Sequence, residues 1–178
     1  MLQYGQKKQG EEFEVNLKLA EVAREEARKN YHGDTIAAIG NLQPLAELFE
    51  AADDVTLESL NENWSGAFAY LCTDAAGIGL PIRYPDPRVM GSFAFVRAWE
   101  QYAHLPKIHL WKSADEMPEI GDLVILEPTN TGTRQMGILL AITEDSMELA
   151  VGNYHNHSAV IERPLFQNVR GLIRLEST

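Results

Sequence analysis

The sequence predicts an α+β fold, because helical and strand periodicities occupy different halves of the chain. Residues 11–103 carry apolar side chains at helical spacing, whereas residues 122–175 contain short apolar runs separated by turn residues. Helices followed by a run of strands are typical of this class. The 178 residues, 45% of them hydrophobic, are expected to form one domain over 1–178. An N-terminal helical extension, 11–52, precedes a core, 53–175.

Four helices are expected in the first half. The first covers residues 11–30, and Gly33 suits the left-handed position that follows a helix. The second begins at an Asp cap and covers residues 34–52. The third covers residues 65–76, with apolar side chains on most of its surface, so it should be buried. The fourth, residues 93–103, is anchored by large aromatic side chains.

The second half predicts an antiparallel meander. Short runs rich in Val, Ile and Leu lie between clusters of turn-forming residues, which is typical of strands joined by hairpins. The expected strands are 122–126, 136–142, 147–151, 158–161 and 171–175, and residues 144–146 are expected to form a hairpin turn.

The composition excludes several classes of function. A net charge of -11 makes nucleic acid an unsuitable partner, because phosphate binding needs clustered Lys and Arg. Residues 1–10 lack the apolar core of a signal peptide, and no apolar run has membrane-spanning length. The single cysteine, Cys72, excludes an internal disulfide and a cysteine-rich metal site. We therefore expect a cytoplasmic protein without membrane association, metal or cofactor.

Four short motifs occur in one order along the chain. They are Trp-Ser-Gly-Ala-Phe at 64–68, Pro-Glu-Ile-Gly-Asp at 118–122, Gln-Met-Gly-Ile at 135–138 and Gly-Asn at 152–153. Together they resemble the NlpC/P60 and CHAP group of papain-like cysteine peptidases and amidases, roughly over residues 15–175. The resemblance implies a papain-like fold, with N-terminal helices packed on a small antiparallel sheet. It also implies substrates with amide bonds, such as peptidoglycan stem peptides.

The resemblance assigns the family's catalytic positions to Ser65, Gln135 and Asn153. In such enzymes a cysteine at a helix N-terminus is stabilised as a thiolate by the unsatisfied backbone amides. A histidine on a neighbouring strand takes the proton, and a polar third residue orients the imidazole. Here the cysteine position is Ser65 and the histidine position is Gln135.

These two replacements predict a degenerate enzyme. A serine hydroxyl is far less acidic than a thiol, and the carboxamide of Gln135 does not accept a proton near neutral pH. Loss of both groups should reduce the rate by about 10⁴- to 10⁶-fold, as deletions of triad residues do. We expect an inactive or weak amidohydrolase whose former cleft binds a peptide or muropeptide-like ligand.

Two alternatives from other functional classes stay open. An active serine amidase would use Ser65 as nucleophile with His155 or His157 as the substitute base. On a strand these two imidazoles would face the same way, although the surrounding turn formers favour an exposed loop. A structural protein that retains only the fold would bind a protein partner instead, and Ser65 would then be a helix N-cap.

Three further residues are candidates for ligand binding. Trp64 and Trp99 are expected to be core or cleft-wall aromatics, and Arg83 lies in a proline-rich loop from which it could hold a carboxylate. His104 and His109 flank a connection that could reach the cleft, and we interpret them as loop residues.

Overall fold

The computed structural model describes residues 2–61, 63–80, 87–128 and 132–175, with residues 2–13 as backbone only. The helices of this part are α1 (Leu2–Ala27), α2 (Gln43–Glu47), α3 (Leu57–Leu60), α4 (Ser65–Ala75) and α5 (Val96–Ala103). The strands are β1 (Trp111–Ser113), β2 (Leu123–Leu126), β3 (Gln135–Ile142), β4 (Ser146–Tyr154), β5 (His157–Pro164) and β6 (Val169–Ile173). The predicted α+β class is confirmed.

The strands form one antiparallel sheet in the order β1-β6-β2-β3-β4-β5. Strands β2 to β5 are the predicted meander, since each pairs with the next along the chain. Strand β6 returns to lie between β1 and β2. The sequence did not predict β1, because its three residues are too few to show a strand period.

The sheet separates two hydrophobic clusters, as alternation along each strand requires. Ile125 and Met136 face the main core, which they share with the buried side chains of α1, α2, α4 and α5. Val124 and Leu126 face a smaller cluster on the other side of the sheet. Helix α4, which begins at Ser65, therefore packs on the main-core side of the sheet.

The N-terminal helix is part of this core. Leu19 and Ala23 of α1 are fully buried and belong to the same cluster as α4 and the inner face of the sheet. The segment predicted as an extension therefore packs directly against the elements that carry the motifs.

The predicted second helix, residues 34–52, is wrong in its first half. Only Gln43–Glu47 is helical there, with a proline in its first turn. Thr35 Oγ1 accepts hydrogen bonds from the amides of Ala37 and Ala38, and Asp34 Oδ1 accepts one from Gly40. Such side-chain bonds to nearby backbone compete with a helix.

The predicted end of the first helix is also wrong. Helix α1 ends at Ala27, and Asn30, at φ 57°, takes the left-handed conformation that was assigned to Gly33. Asparagine tolerates this conformation better than other non-glycine residues. By contrast, α4 ends within one residue of the predicted end of the third helix, and Gly77 then takes a left-handed φ of 80°.

Candidate functional site

Ser65 lies at the junction between α4 and the sheet. It is the first residue of α4 and only 1% exposed. Its Oγ accepts a hydrogen bond of 3.3 Å from the backbone N–H of Met136 on β3. The N-cap interpretation is wrong, because Trp64 holds that position and makes no side-chain cap. The hydroxyl instead connects the helix to the strand.

Gln135 and Asn153 meet beside this junction. Gln135 is the first residue of β3, and its Nε2 donates a 2.9 Å hydrogen bond to the backbone carbonyl of Asn153. Asn153 is 7% exposed and lies, at φ 62°, in the irregular pairing between β4 and β5. Residues predicted from three separate motifs are therefore neighbours through the backbone of β3 and β4, although Ser65 and Gln135 share no side-chain hydrogen bond in the described residues. We call Ser65, Gln135 and Asn153 the Ser65 site.

Gly152 allows β4 to pass close to α4 at this site. A Cβ atom there would lie 2.5 Å from Phe68 Cβ and 3.0 Å from Trp64 Cε3. Real Cβ atoms do not approach other carbons so closely, so a larger residue would push the strand and helix apart. The glycine of the fourth motif thus has a packing role that follows from its position.

The two candidate substitute bases lie at the tip of the β4–β5 hairpin. Both are exposed. The His155 ring packs against Tyr154 with centroids 4.5 Å apart, and the His157 ring lies 5.7 Å from that of His32. In the described ranges neither imidazole hydrogen-bonds to Ser65. The favoured interpretation of an exposed loop is confirmed for His155, which lies with Asn156 in a turn at φ 50° and 63°, whereas His157 begins β5.

Asn156, in the same turn, is an organising residue that the sequence did not reveal. Its Oδ1 accepts a 3.1 Å hydrogen bond from Trp64 Nε1, and its Nδ2 donates to Asp34 O and Asn61 Oδ1. Its backbone carbonyl accepts from Gly33 N–H. A single turn residue therefore holds the hairpin against the segment that precedes α4.

The tryptophans predicted to bind ligand are core residues. Trp64 and Trp99 are both 0% exposed, and a fully buried indole has no surface to offer a ligand. Trp99 Nε1 donates to Phe93 O at 2.8 Å and to Gly66 O at 3.2 Å, which fixes α5 against the start of α4. Arg83, the third candidate, lies outside the described residues.

An open cavity of about 580 Å³ is lined by residues that adjoin the Ser65 site along the chain. Asn63 and Arg134, which line it, are close neighbours along the chain of Ser65 and Gln135. We call this cavity the Arg97 pocket. The polar residues that line it include Arg97, Glu100, Gln101, His104, Glu127 and Arg134.

Glu100 is the centre of an ion-pair network along the pocket. Glu100 is 8% exposed, and its two carboxylate oxygens accept hydrogen bonds from Arg134 Nη1 at 2.7 Å and from Arg170 Nε at 2.6 Å. Arg170 Nη1 also donates to Glu127 at 3.0 Å. The hydrogen bonds to Glu100 and then Glu127 raise the pKa of Arg170. The network joins α5 to the ends of β2, β3 and β6.

His104 places an imidazole at the pocket wall. Its Nδ1 lies 2.8 Å from the carbonyl oxygen of Glu100, and its ring packs 4.2 Å from that of Trp111. Because a carbonyl only accepts, Nδ1 carries the proton and Nε2 has the lone pair in the neutral ring. His104 is the C-cap of α5, at the start of the connection in which the sequence placed it.

The family assignment rests on the sequence motifs alone. No family model, curated protein or solved structure matches this chain. Among the described residues, no group of three or more His, Cys, Asp or Glu side chains is arranged to hold a metal ion. No helix in those ranges has the length and apolar character needed to cross a bilayer. The resemblance to NlpC/P60 and CHAP proteins therefore stays a prediction.

Proposed function

We propose that this chain is a degenerate papain-like domain of the NlpC/P60 and CHAP type. It binds a peptide or muropeptide-like ligand beside Ser65 and hydrolyses the ligand weakly or not at all. The observation that supports this most is that Ser65, Gln135 and Asn153, which come from separate motifs, are neighbours through the backbone of β3 and β4.

The contacts of the hydroxyl support binding over catalysis. Ser65 Oγ accepts from a backbone amide, and Gln135 donates to a backbone carbonyl. Neither contact removes a proton from serine, and a serine nucleophile needs a base for that step. Without one, the rate should fall by about 10⁴-fold or more relative to a complete triad.

The family assignment can be tested by restoring the missing groups. In the double variant Ser65→Cys/Gln135→His, we expect the new thiol to react with iodoacetamide at lower pH than in Ser65→Cys alone. A neighbouring imidazolium stabilises the thiolate and lowers the thiol pKa. Burial raises the pKa of the Cys72 thiol, so the unchanged protein gives a low background. Identical pH profiles for the two variants would argue against the assignment. Because Ser65 is 1% exposed, the alkylation is followed under mildly denaturing urea as well as in buffer, so that burial alone does not decide the result.

Binding and turnover should be measured separately. Calorimetric titration of the unchanged protein with purified stem-peptide muropeptides should show saturable binding, and product analysis should show no cleavage above background. Cleavage that disappears in Ser65→Ala would favour the serine amidase. Absence of both binding and cleavage would favour a protein that retains only the fold and acts through a protein partner.

A further inference from the structure

The Arg97 pocket, counted together with Arg170, which pairs with its acids from outside the lining, has a surplus of positive charge, although the whole chain has a net charge of -11. Its two acids, Glu100 and Glu127, are paired with Arg134 and Arg170. Two guanidiniums therefore already match two carboxylates before Arg97 is counted. The pocket is an unusual place on an acidic protein, because an anion that enters it meets an uncompensated cation.

Arg97 is that cation. Its side chain is exposed, and its Nη2 contacts Met90 Sδ at 3.0 Å. Within the described ranges it has no carboxylate partner. A thioether is only a weak acceptor, so most of the guanidinium's donors are available to a ligand. Guanidinium forms two parallel hydrogen bonds with one carboxylate, which gives both strength and orientation.

The neighbours of Arg97 on α5 extend this binding surface. Arg97, Gln101 and His104 are separated by four and three residues, so they share one face of the helix. Gln101 Oε1 accepts from Met90 N–H at 2.6 Å, which fixes the residue that contacts Arg97. His104 Nδ1 is occupied by its own helix, which leaves Nε2 for a polar group of the ligand.

The volume of the pocket fits more than an isolated carboxylate. A cavity of about 580 Å³ lies within the range of small-ligand sites, roughly 300–1,000 Å³. Phe95 and Val96 supply apolar wall next to the charged groups. One end of a short peptide has this combination of a carboxylate and small apolar side chains.

We infer that the Arg97 pocket binds the carboxylate of a short peptide, with the Arg97 guanidinium as its anchor. The inference rests on the proposed function, since Asn63 and Arg134 of this pocket are within two residues of Ser65 and Gln135 along the chain. The carboxylate can come from the C-terminus of the peptide or from an acidic side chain. Both sources offer the same group to Arg97, and suitable peptides distinguish them.

Three acetylated tripeptides serve as probes in calorimetric titrations. They are Ala-Ala-Ala with a free carboxyl terminus, the same peptide as its C-terminal amide, and Ala-Glu-Ala as its C-terminal amide. Each is titrated into the unchanged protein, Arg97→Ala and Arg28→Ala. Arg28 is an exposed arginine directly after the end of α1. Its removal changes the net charge of the protein by the same amount as Arg97→Ala.

We expect the free acid to bind the unchanged protein. Amidation of the peptide or Arg97→Ala should weaken binding by about tenfold or more, as loss of a charged hydrogen-bond pair does. Arg28→Ala should change it by less than about twofold. Equivalent Arg97-dependent binding of the glutamate peptide would support the inference with a side-chain source.

Two results would overturn the inference. One is equal binding of all three peptides with no effect of Arg97→Ala, which leaves the proposed function standing because peptide still binds. The other is no binding of any probe to the unchanged protein. The alkylation profile of the Ser65→Cys/Gln135→His variant then judges the family assignment separately, so the two failures are distinguishable.

Discussion

The Ser65 site and the Arg97 pocket are neighbours with opposite properties. Ser65 is 1% exposed, the adjacent Trp64 is fully buried, and the serine hydroxyl already accepts a backbone hydrogen bond. The Arg97 pocket is an open cavity whose defining guanidinium is exposed and lacks a carboxylate partner in the described residues. Yet Asn63 and Arg134 of the pocket are within two residues of Ser65 and Gln135.

This contrast separates the requirements of catalysis from those of binding. Covalent catalysis needs an accessible nucleophile with a base in hydrogen-bond reach, and the described surroundings of Ser65 supply neither. Binding needs concave space and polar groups whose hydrogen-bonding capacity is not already used, and the pocket supplies both. The motifs therefore mark a packed junction, and the cavity in which we propose that a ligand binds lies next to it.

The largest expected effect comes from truncating a buried side chain next to Ser65. Trp64→Ala should lower the free energy of unfolding by about 3–5 kcal/mol, because it removes a buried indole from a close-packed core. Phe95→Ala, on the partly open pocket wall, should cost less. Urea denaturation of both variants measures the difference. Equal losses would mean that the two regions are packed alike.

A smaller loss is expected from overpacking the junction. In Gly152→Val the new Cβ would meet Phe68 Cβ at 2.5 Å, and overpacked cores lose about 1–3 kcal/mol. Gly79→Val is the matched control, since a Cβ there has no atom within 4 Å. Its effect should stay within about 0.5 kcal/mol. If both valines are tolerated equally, β4 does not press against α4 as described.

On the pocket side, Glu100→Gln tests the ion-pair network. We expect the free energy of unfolding to fall by about 1–2 kcal/mol, because Arg134 and Arg170 lose their shared carboxylate but keep access to solvent. Glu127→Gln should lower the free energy of unfolding by less than about 1 kcal/mol, because the Glu127 side chain is 41% exposed. Thermal unfolding at low and high salt measures both. A Glu127 effect as large as that of Glu100 would contradict the central role of Glu100.

Periodicity and motif order predicted much of the frame around these regions. The start of α4 and strands β2 to β5 follow from local patterns, and the motif order brought Ser65 and Gln135 to adjoining elements. Local pattern failed at residues 34–42. Ile36 and Ile39 have the spacing of an apolar helix face, yet they are 110% and 90% exposed. Side-chain bonds of Asp34 and Thr35 to the backbone decide that segment instead.

The Arg97 pocket could not be predicted from the sequence. Glu100 lies 34 residues from Arg134 and 70 from Arg170 along the chain, and nothing in the local pattern of any of them indicates its partners. Only the sheet order, with β6 inserted beside β2, brings Arg170 to the same place. The same holds for Asn156, whose contacts with Trp64 and Asn61 cross more than ninety residues.

The smallest expected effect concerns the buried thiol of Cys72, on the same helix as Ser65. Burial raises the pKa of the Cys72 thiol, and the charge of Glu26 adds to this. Above the pKa of the unfolded thiol, the unfolded chain loses a proton that the folded chain keeps, so stability falls as pH rises. The loss attributable to Cys72 should be under about 1 kcal/mol at pH 9. Urea denaturation at pH 7 and pH 9 should show it in the unchanged protein and a smaller fall in Cys72→Ala. An equal fall in stability in both proteins would mean that water reaches Cys72. The interior below Ser65 would then be as accessible to solvent as the Arg97 pocket.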